Sequence, residues 1–138
     1  MKPILVDASF LIAIYNRSDR HHARCMRALA AVAAPLVTCE AVIAESFHML
    51  RFARGAAESI LGSIERGEIE IQFKLTDSSA NVRTILKKYD DLEADLADAC
   101  LVAMADELDT GDILTLDSDF KHYRWRRNRA FRLLIPLD

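Results

Sequence analysis

Four acidic residues, Asp7, Glu45, Asp98 and Asp117, stand where a carboxylate calls for an explanation. Asp7 ends the apolar run Ile4-Leu5-Val6, and Asp117 ends Ile113-Leu114-Thr115-Leu116. Both runs read as strands buried on both faces, as in a parallel sheet. In open α/β sheets the ligand crevice lies beyond the carboxyl ends of the strands, so both acids project into it if their strands are neighbours. Taken singly, each is also an ordinary turn or helix-capping Asp. Glu45 has Ala41, Val42, His48 and Met49 at helical spacing, a largely apolar stripe. An isolated buried charge there is expensive; the alternative is a partly exposed Glu at the stripe's edge, paired with an Arg. Asp95 and Asp98 open a helix that is apolar nearly all round from Leu96 to Met104. Asp95 fits the N-cap, where an acid suits the helix dipole. Asp98 is left among residues that should be buried.

The four assignments support one another through their charge. Two carboxylates about 5 Å apart repel by roughly 3 kcal/mol at an effective dielectric near 20. Three or four at one crevice need a compensating cation. Oxygen ligands without His or Cys suit Mg²⁺ or Mn²⁺, ions that bridge phosphate oxygens and lower the pKa of a bound water. The chemistry most naturally implied is phosphodiester hydrolysis.

The elements that must position these acids follow from the pattern. A helix from Phe10 to Tyr15 opens after the first strand, with Ser9 as a possible cap, and His21 to Ala33 is helical. Pro35-Leu36-Val37 is a second short strand. Thr38 can cap a helix from Cys39 to about Arg54, closed by Gly55, and another helix runs from Ala56 to Arg66, ending at Gly67. Glu68 to Leu75 alternates, with Ile69, Ile71, Phe73 and Leu75 on one face, as an edge strand does. Asp77 can cap a helix to about Tyr89, and the helix opened by Asp95 runs to Leu108. Arg132 to Leu137 is a closing strand. This alternation argues for an α/β fold with a mostly parallel sheet and helices on both faces. Residues 1–138 show no repeat and no linker, and are expected to form one domain.

Half of the chain is apolar, and no apolar run reaches the length of a membrane span. Asp7 interrupts what would be a signal-peptide core, so a cytoplasmic protein is expected. The three cysteines, Cys25, Cys39 and Cys100, are odd in number and widely spaced, and read as buried free thiols. Phe47, Met49, Leu50 and Phe52 read as core or as a dimer interface. His21 and His22 read as a solvated helix start.

The net charge of −3 conceals a division. Lys121, Arg124, Arg126, Arg127, Arg129 and Arg132 form a run of six bases, and removing them leaves 12 basic against 21 acidic residues. The segment interleaves these cations with Tyr123 and Trp125. That composition suits single-stranded RNA, with phosphates on Lys121, Arg124, Arg126 and Arg127 and bases stacked on the aromatics. It equally describes a solvated loop that balances an acidic body, or a docking strip for an acidic protein segment.

The chain resembles the PIN-domain ribonucleases, and among them the small VapC-type toxins of bacterial toxin–antitoxin pairs. The resemblance rests on Val6-Asp7-Ala8-Ser9, Ala44-Glu45-Ser46, Asp95-Leu96-Ala97-Asp98-Ala99 and Leu114-Thr115-Leu116-Asp117-Ser118-Asp119-Phe120. It implies a three-layer α/β/α domain with a central, mostly parallel sheet and acidic metal ligands at Asp7, Glu45, Asp98 and Asp117. Asp119 resembles a further acid that some members use for the metal, Asp95 a less uniformly used one, and Ser9 and Thr115 match small hydroxyl residues near the family's site. The implied activity is Mg²⁺-dependent (or Mn²⁺-dependent) endoribonucleolytic cleavage leaving a 5′-phosphate and a 3′-hydroxyl. The implied partners are RNA, a second copy in a homodimer and a cognate antitoxin protein.

Three other readings are compatible with parts of the pattern. A PIN-domain nuclease can process RNA without being a toxin, and a PIN-like module can bind without catalysing. Phosphoaspartyl chemistry would make Asp7 a nucleophile. That pattern wants an acid two residues on, where this chain has Ser9, or paired acids near the first strand with a late Lys, for which only Lys121 offers itself.

Overall fold

The computed structural model describes residues 1–137. The apolar runs form strands β1 (Ile4–Val6), β2 (Leu36–Thr38), β3 (Ile69–Ile71) and β4 (Asp112–Leu114). β5 (Arg124–Trp125) and β6 (Arg129–Ala130) make a separate antiparallel hairpin, and β7 (Arg132–Leu133) returns to the sheet. The sheet has the order β3-β2-β1-β4-β7, with every pairing parallel. β1 lies at its centre, where Leu5 faces Val37 on one side and Ile113 on the other, and all three are fully buried. A central strand with no polar side chain is what burial on both faces requires.

Six helices cover the sheet in a three-layer α/β/α arrangement. These are α1 (Ala8–Tyr15), α2 (His22–Ala30), α3 (Glu40–Met49), α4 (Ala56–Glu65), α5 (Leu75–Lys88) and α6 (Leu96–Leu108). α1 packs on α2, α3 and α4, while α6 packs on α5, α3 and β1. From Ala97 to Ala105 every residue of α6 except Asp98 is buried. Such a helix has no solvated face to offer, so the acid at its head is held against the rest of the fold.

Several boundaries differ from the sequence expectation, each for a local reason. Only Ile69–Ile71 of the alternating stretch 68–75 is strand, because its partner β2 is three residues long and leaves the rest without a ladder. Leu75 instead opens α5, and Asp77 falls in the first turn of that helix rather than at its cap. The closing strand shortens to Arg132–Leu133, which pairs with Asp112 and Ile113 of β4. α3 stops at Met49, and Gly55, at a φ of +79°, heads α4 instead of closing α3. Thr38 caps nothing; its buried hydroxyl donates to the Val6 carbonyl at 2.7 Å and ties β2 to β1 beyond the ladder.

All three cysteines are free and buried, as expected. Of the apolar residues read as core or interface, Leu50 is buried with Ala56 and Ile60, whereas Met49 and Phe52 are 57% and 87% exposed. Among the described residues, no helix is long and apolar enough to cross a membrane.

Candidate active site

Asp7 is the most constrained of the acids. It follows β1 and serves as the N-cap of α1, the role expected of Ser9. Its Oδ1 accepts from the Ala8 amide at 2.8 Å, and its Oδ2 accepts from the hydroxyls of Ser9 (2.9 Å) and Thr115 (2.7 Å). Each hydroxyl has one proton, so with both directed at Asp7 their lone pairs are left to accept. They do so from the backbone of the neighbouring strand's exit: Leu116 N–H donates to Ser9 Oγ at 2.9 Å and Asp117 N–H to Thr115 Oγ1 at 3.0 Å. Ser9 and Thr115 thus brace Asp7 against the turn that carries Asp117. Asp7 is only 5% exposed. Burial pushes its carboxyl up from the ordinary range, the hydrogen bonds oppose that, and the charge of Asp117 adds to it.

β1 and β4 are adjacent, with Val6 opposite Leu114, so Asp7 and Asp117 leave the same edge of the sheet. Asp117 caps a 3₁₀ turn over Ser118–Lys121, its Oδ1 accepting from the Asp119 amide at 2.9 Å. Its carboxyl is raised by burial and by the charges of Asp119 and Asp95.

Asp95 and Asp98 form a reciprocal capping box at the start of α6. Asp98 N–H donates to Asp95 Oδ1 at 2.8 Å, and Asp95 N–H to Asp98 Oδ2 at 3.3 Å. Asp95 therefore caps, as expected, but it is more than a cap. Its charge acts on Glu45, Asp98 and Asp117. Asp98 is pushed up to about 7 by burial, then by Asp95, with Asp7 adding to the shift.

Glu45 corrects the sequence expectation. The buried side of α3 runs through Val42 and Ser46, with Leu50 just beyond, whereas His48, Met49 and Glu45 itself are exposed. Of its stripe neighbours, Val42 is buried and Ala41 packs against the core, whereas the other two face solvent. The Glu45 carboxyl is nonetheless pushed up to about 7, by partial desolvation first and then by Asp95, Asp7 and Asp117. Partial desolvation and acidic neighbours, rather than a continuous apolar stripe, single it out.

Asp7 thus raises Glu45 and Asp98, Asp117 raises Asp7 and Glu45, and Asp95 raises Glu45, Asp98 and Asp117, so the acids are linked through Asp7, Asp95 and Asp117. Among the described residues, no three His, Cys, Asp or Glu side chains approach closely enough to enclose a metal ion as they stand. Carboxylates with nothing positive between them repel. The donor set fits a hard divalent cation, because it is all oxygen, anionic and without His or thiolate. The residues that could hold such an ion are Asp7, Glu45, Asp98 and Asp117, with Asp119 and Asp95 at the margin.

The basic segment is folded rather than free. Tyr123 is fully buried and Trp125 is 6% exposed, so neither ring is available to stack on a base. The Trp125 indole lies over Gly111, where any Cβ would collide with it, and donates to the Ala130 carbonyl at 3.2 Å. Arg126 turns to the far end of α6, donating to the Asp106 carbonyl (3.0 Å) and to Asp109 (2.7 Å), and so is not poised for phosphate. Arg124 is half-buried and bonds the carbonyls of Lys121 and Tyr123. Lys121 and Arg127 alone of the expected phosphate ligands are exposed without a hydrogen bond or ion pair among the described residues.

Sequence reasoning missed one contact at the site. The Tyr123 hydroxyl donates to Asp98 Oδ2 at 3.1 Å. No spacing signals it, because 25 residues separate the partners and only packing of the hairpin on α6 brings them together.

The chain belongs to the PIN-domain family, whose family model matches residues 4–126. It is similar to the ribonuclease VapC26 of Mycobacterium tuberculosis (strain ATCC 25618 / H37Rv), with 28% identity over 116 residues, covering 83% of this chain and 86% of that relative. In structure it is similar to the crystal structure of Mycobacterium tuberculosis VapC20, a sarcin-ricin loop cleaving toxin. The TM-score is 0.75 at 21% identity, over 86% of this chain and 93% of that one, a likeness of fold. The resemblance read from the sequence and the three-layer α/β/α class both stand.

Proposed function

We propose that this protein is a metal-dependent endoribonuclease of the VapC type, acting as a single nuclease domain. Asp7, Glu45, Asp98 and Asp117 would hold Mg²⁺ or Mn²⁺, with Asp119 and Asp95 contributing charge nearby. The observation that carries this reading is the pair of acids at adjacent strand exits: Asp7 and Asp117 leave the same edge of the sheet, and Ser9 and Thr115 tie the two turns together. A bound divalent ion supplies an activated water and stabilises the leaving oxygen of a phosphodiester.

The chain's own residues do the rest. Ser9 and Thr115 aim Asp7 by donating to it, and their bonds favour its charged form against the burial that raises it. The Asp95–Asp98 box fixes the head of α6. Lys121 and Arg127 offer exposed cations to the RNA phosphates.

Relatedness to the ribonuclease VapC26 supports the cleavage of RNA, and the resemblance to VapC-type toxins extends the reading to a toxin restrained by a cognate antitoxin protein and working in the cytoplasm. The exposed Met49 and Phe52 favour a homodimer. The pure protein incubated with total RNA should generate new 5′-phosphate ends with Mg²⁺ or Mn²⁺ and none with EDTA. Equal cleavage in EDTA would remove the metal from the mechanism. Expression in a bacterial host should arrest growth, and Asp98→Asn should not.

A further inference from the structure

Asp98 has two oxygens with different surroundings. Oδ2 accepts from the Asp95 amide at 3.3 Å and from the Tyr123 hydroxyl at 3.1 Å. Oδ1 accepts no hydrogen bond among the described residues. A carboxylate at the end of a helix rotates about its side-chain torsions unless something holds it, and the capping-box bond alone is long.

Tyr123 is unusually well placed to supply that hold. Its ring is fully buried, 4.9 Å from the ring of Tyr89 and 5.0 Å from that of Phe120, edge-on to both. Its own amide donates to the Asp119 carbonyl at 3.2 Å, and the next amide, of Arg124, donates to the Tyr89 hydroxyl at 2.8 Å. Ring and backbone are both fixed, so the phenol is a rigid donor. A buried Tyr hydroxyl needs a partner, and this one has a carboxylate that otherwise belongs to the acidic cluster.

We propose that Tyr123 is a positioning residue, whose hydroxyl holds Oδ2 of Asp98 so that Oδ1 is the oxygen presented to a divalent cation. This rests on the reading of Asp98 as one of the metal-holding acids. Residues that orient a ligand in this manner typically contribute 10- to 100-fold in metal affinity or activity. Tyr123 also belongs to the segment that leads into the hairpin and packs on Phe120, two residues beyond the Ser118 end of the turn capped by Asp117. One buried side chain thereby links the heads of two site-bearing elements.

The test uses Tyr123→Phe, which keeps the ring and removes only the donor. Mn²⁺ affinity is measured by calorimetry on the protein without RNA, alongside cleavage kinetics and the melting temperature of the metal-free protein. The expected result is Mn²⁺ binding weaker by about 10-fold or more and a matching fall in kcat with KM for RNA unchanged. Combining the change with Asp98→Asn should add nothing further. Unchanged Mn²⁺ affinity and kcat in Tyr123→Phe, while Asp98→Asn abolishes both, would overturn the positioning role and leave the nuclease reading intact. A lowered melting temperature with normal Mn²⁺ affinity would overturn it in favour of simple packing. If Asp98→Asn itself binds Mn²⁺ and cleaves normally, the assignment of Asp98 fails, and the inference with it.

Discussion

The hydroxyl of Thr115 donates to Oδ2 of Asp7 at 2.7 Å, joining residues 108 apart in the chain across the exits of adjacent strands. The Thr115 hydroxyl oxygen in turn accepts from the amide of Asp117 at 3.0 Å. One small side chain therefore sets both the orientation of the most buried acid and the turn that carries its partner. Thr115→Val preserves shape and removes both bonds. A hydrogen bond to a buried charged group contributes about 1.5–3 kcal/mol, so denaturant unfolding at neutral pH should show a loss of about 1–3 kcal/mol. Cleavage should fall about 10-fold or more. Thr115→Ser, which retains the donor, should recover most of both; a serine variant as damaged as the valine one would refute the hydrogen-bond account.

Asp98→Asn should separate stability from activity. The amide oxygen of Asn still accepts from Tyr123 and from the Asp95 amide, so the capping box keeps its geometry. What disappears is a charge repelled by Asp95 and Asp7. Metal-dependent cleavage should drop at least about 100-fold, whereas the metal-free protein at pH 8 should melt no lower than the wild type. Solvent screening limits the gain to roughly 1 kcal/mol, a few degrees in Tm. A variant that lost both fold and activity would show that Asp98 is structural.

The basic segment divides into cations with partners and cations without. Arg126 is paired with Asp109 at 2.7 Å, both half exposed. Arg126→Ala should cost about 0.5–1 kcal/mol and leave the KM for RNA unaltered. Lys121 and Arg127 are exposed, and replacing both with Ala should raise KM without changing kcat. If each neutralises one phosphate of a single strand, the slope of log affinity against log salt should shrink by about 1.4. Filter-binding titrations at several salt concentrations measure this, and an unchanged slope would show that RNA takes another route.

These divisions explain how far the sequence alone could be read. The central sheet was legible because Ile4-Leu5-Val6 and Ile113-Leu114 are short apolar runs, and burial on both faces leaves such runs no other role. Asp7 and Asp117 were legible from the same runs, as acids at strand exits. Asp95 was legible as a cap because capping chemistry is local. Glu45 was legible only as an acid at the edge of an apolar stripe, since Val42 is buried but Met49 and His48 face solvent; the fold adds partial desolvation and the charges of Asp95, Asp7 and Asp117. Stacking of bases on Tyr123 and Trp125, one of the readings their charged segment allows, fails because both rings are buried. Their burial comes from α6 and Gly111, which the local sequence does not report. The role of Thr38 was hidden for the same reason, its hydroxyl bonding Val6 on another strand rather than its own helix.

The acid cluster gives the protein a pH dependence with a definite sign. Glu45 and Asp98 are both pushed up to about 7, from the ordinary values of about 4.3 and 3.9. Asp7 and Asp117 are raised as well. A raised acid means that the folded chain binds more protons than the unfolded chain between the two values. The stability from these groups is therefore fully present below about pH 4 and is lost as pH rises through about 7. Asp109, Asp112 and Glu68 are lowered by their bonds to Lys2, Arg132 and Arg66. Their opposite contribution falls away only as pH drops below about 4, outside this window. Metal-free protein should accordingly melt at lower temperature at pH 8 than at pH 5.5. A divalent ion needs the carboxylates deprotonated and competes with protons for them. Stabilisation by Mn²⁺ should then be small at pH 5.5 and grow through pH 7, so that the two melting curves diverge, and cleavage should lose its acidic limb near the same pH. Asp98→Asn should flatten the metal-free curve and abolish the divergence. Mn²⁺ stabilisation independent of pH between 5.5 and 8 would show that these four carboxylates are not where the ion binds.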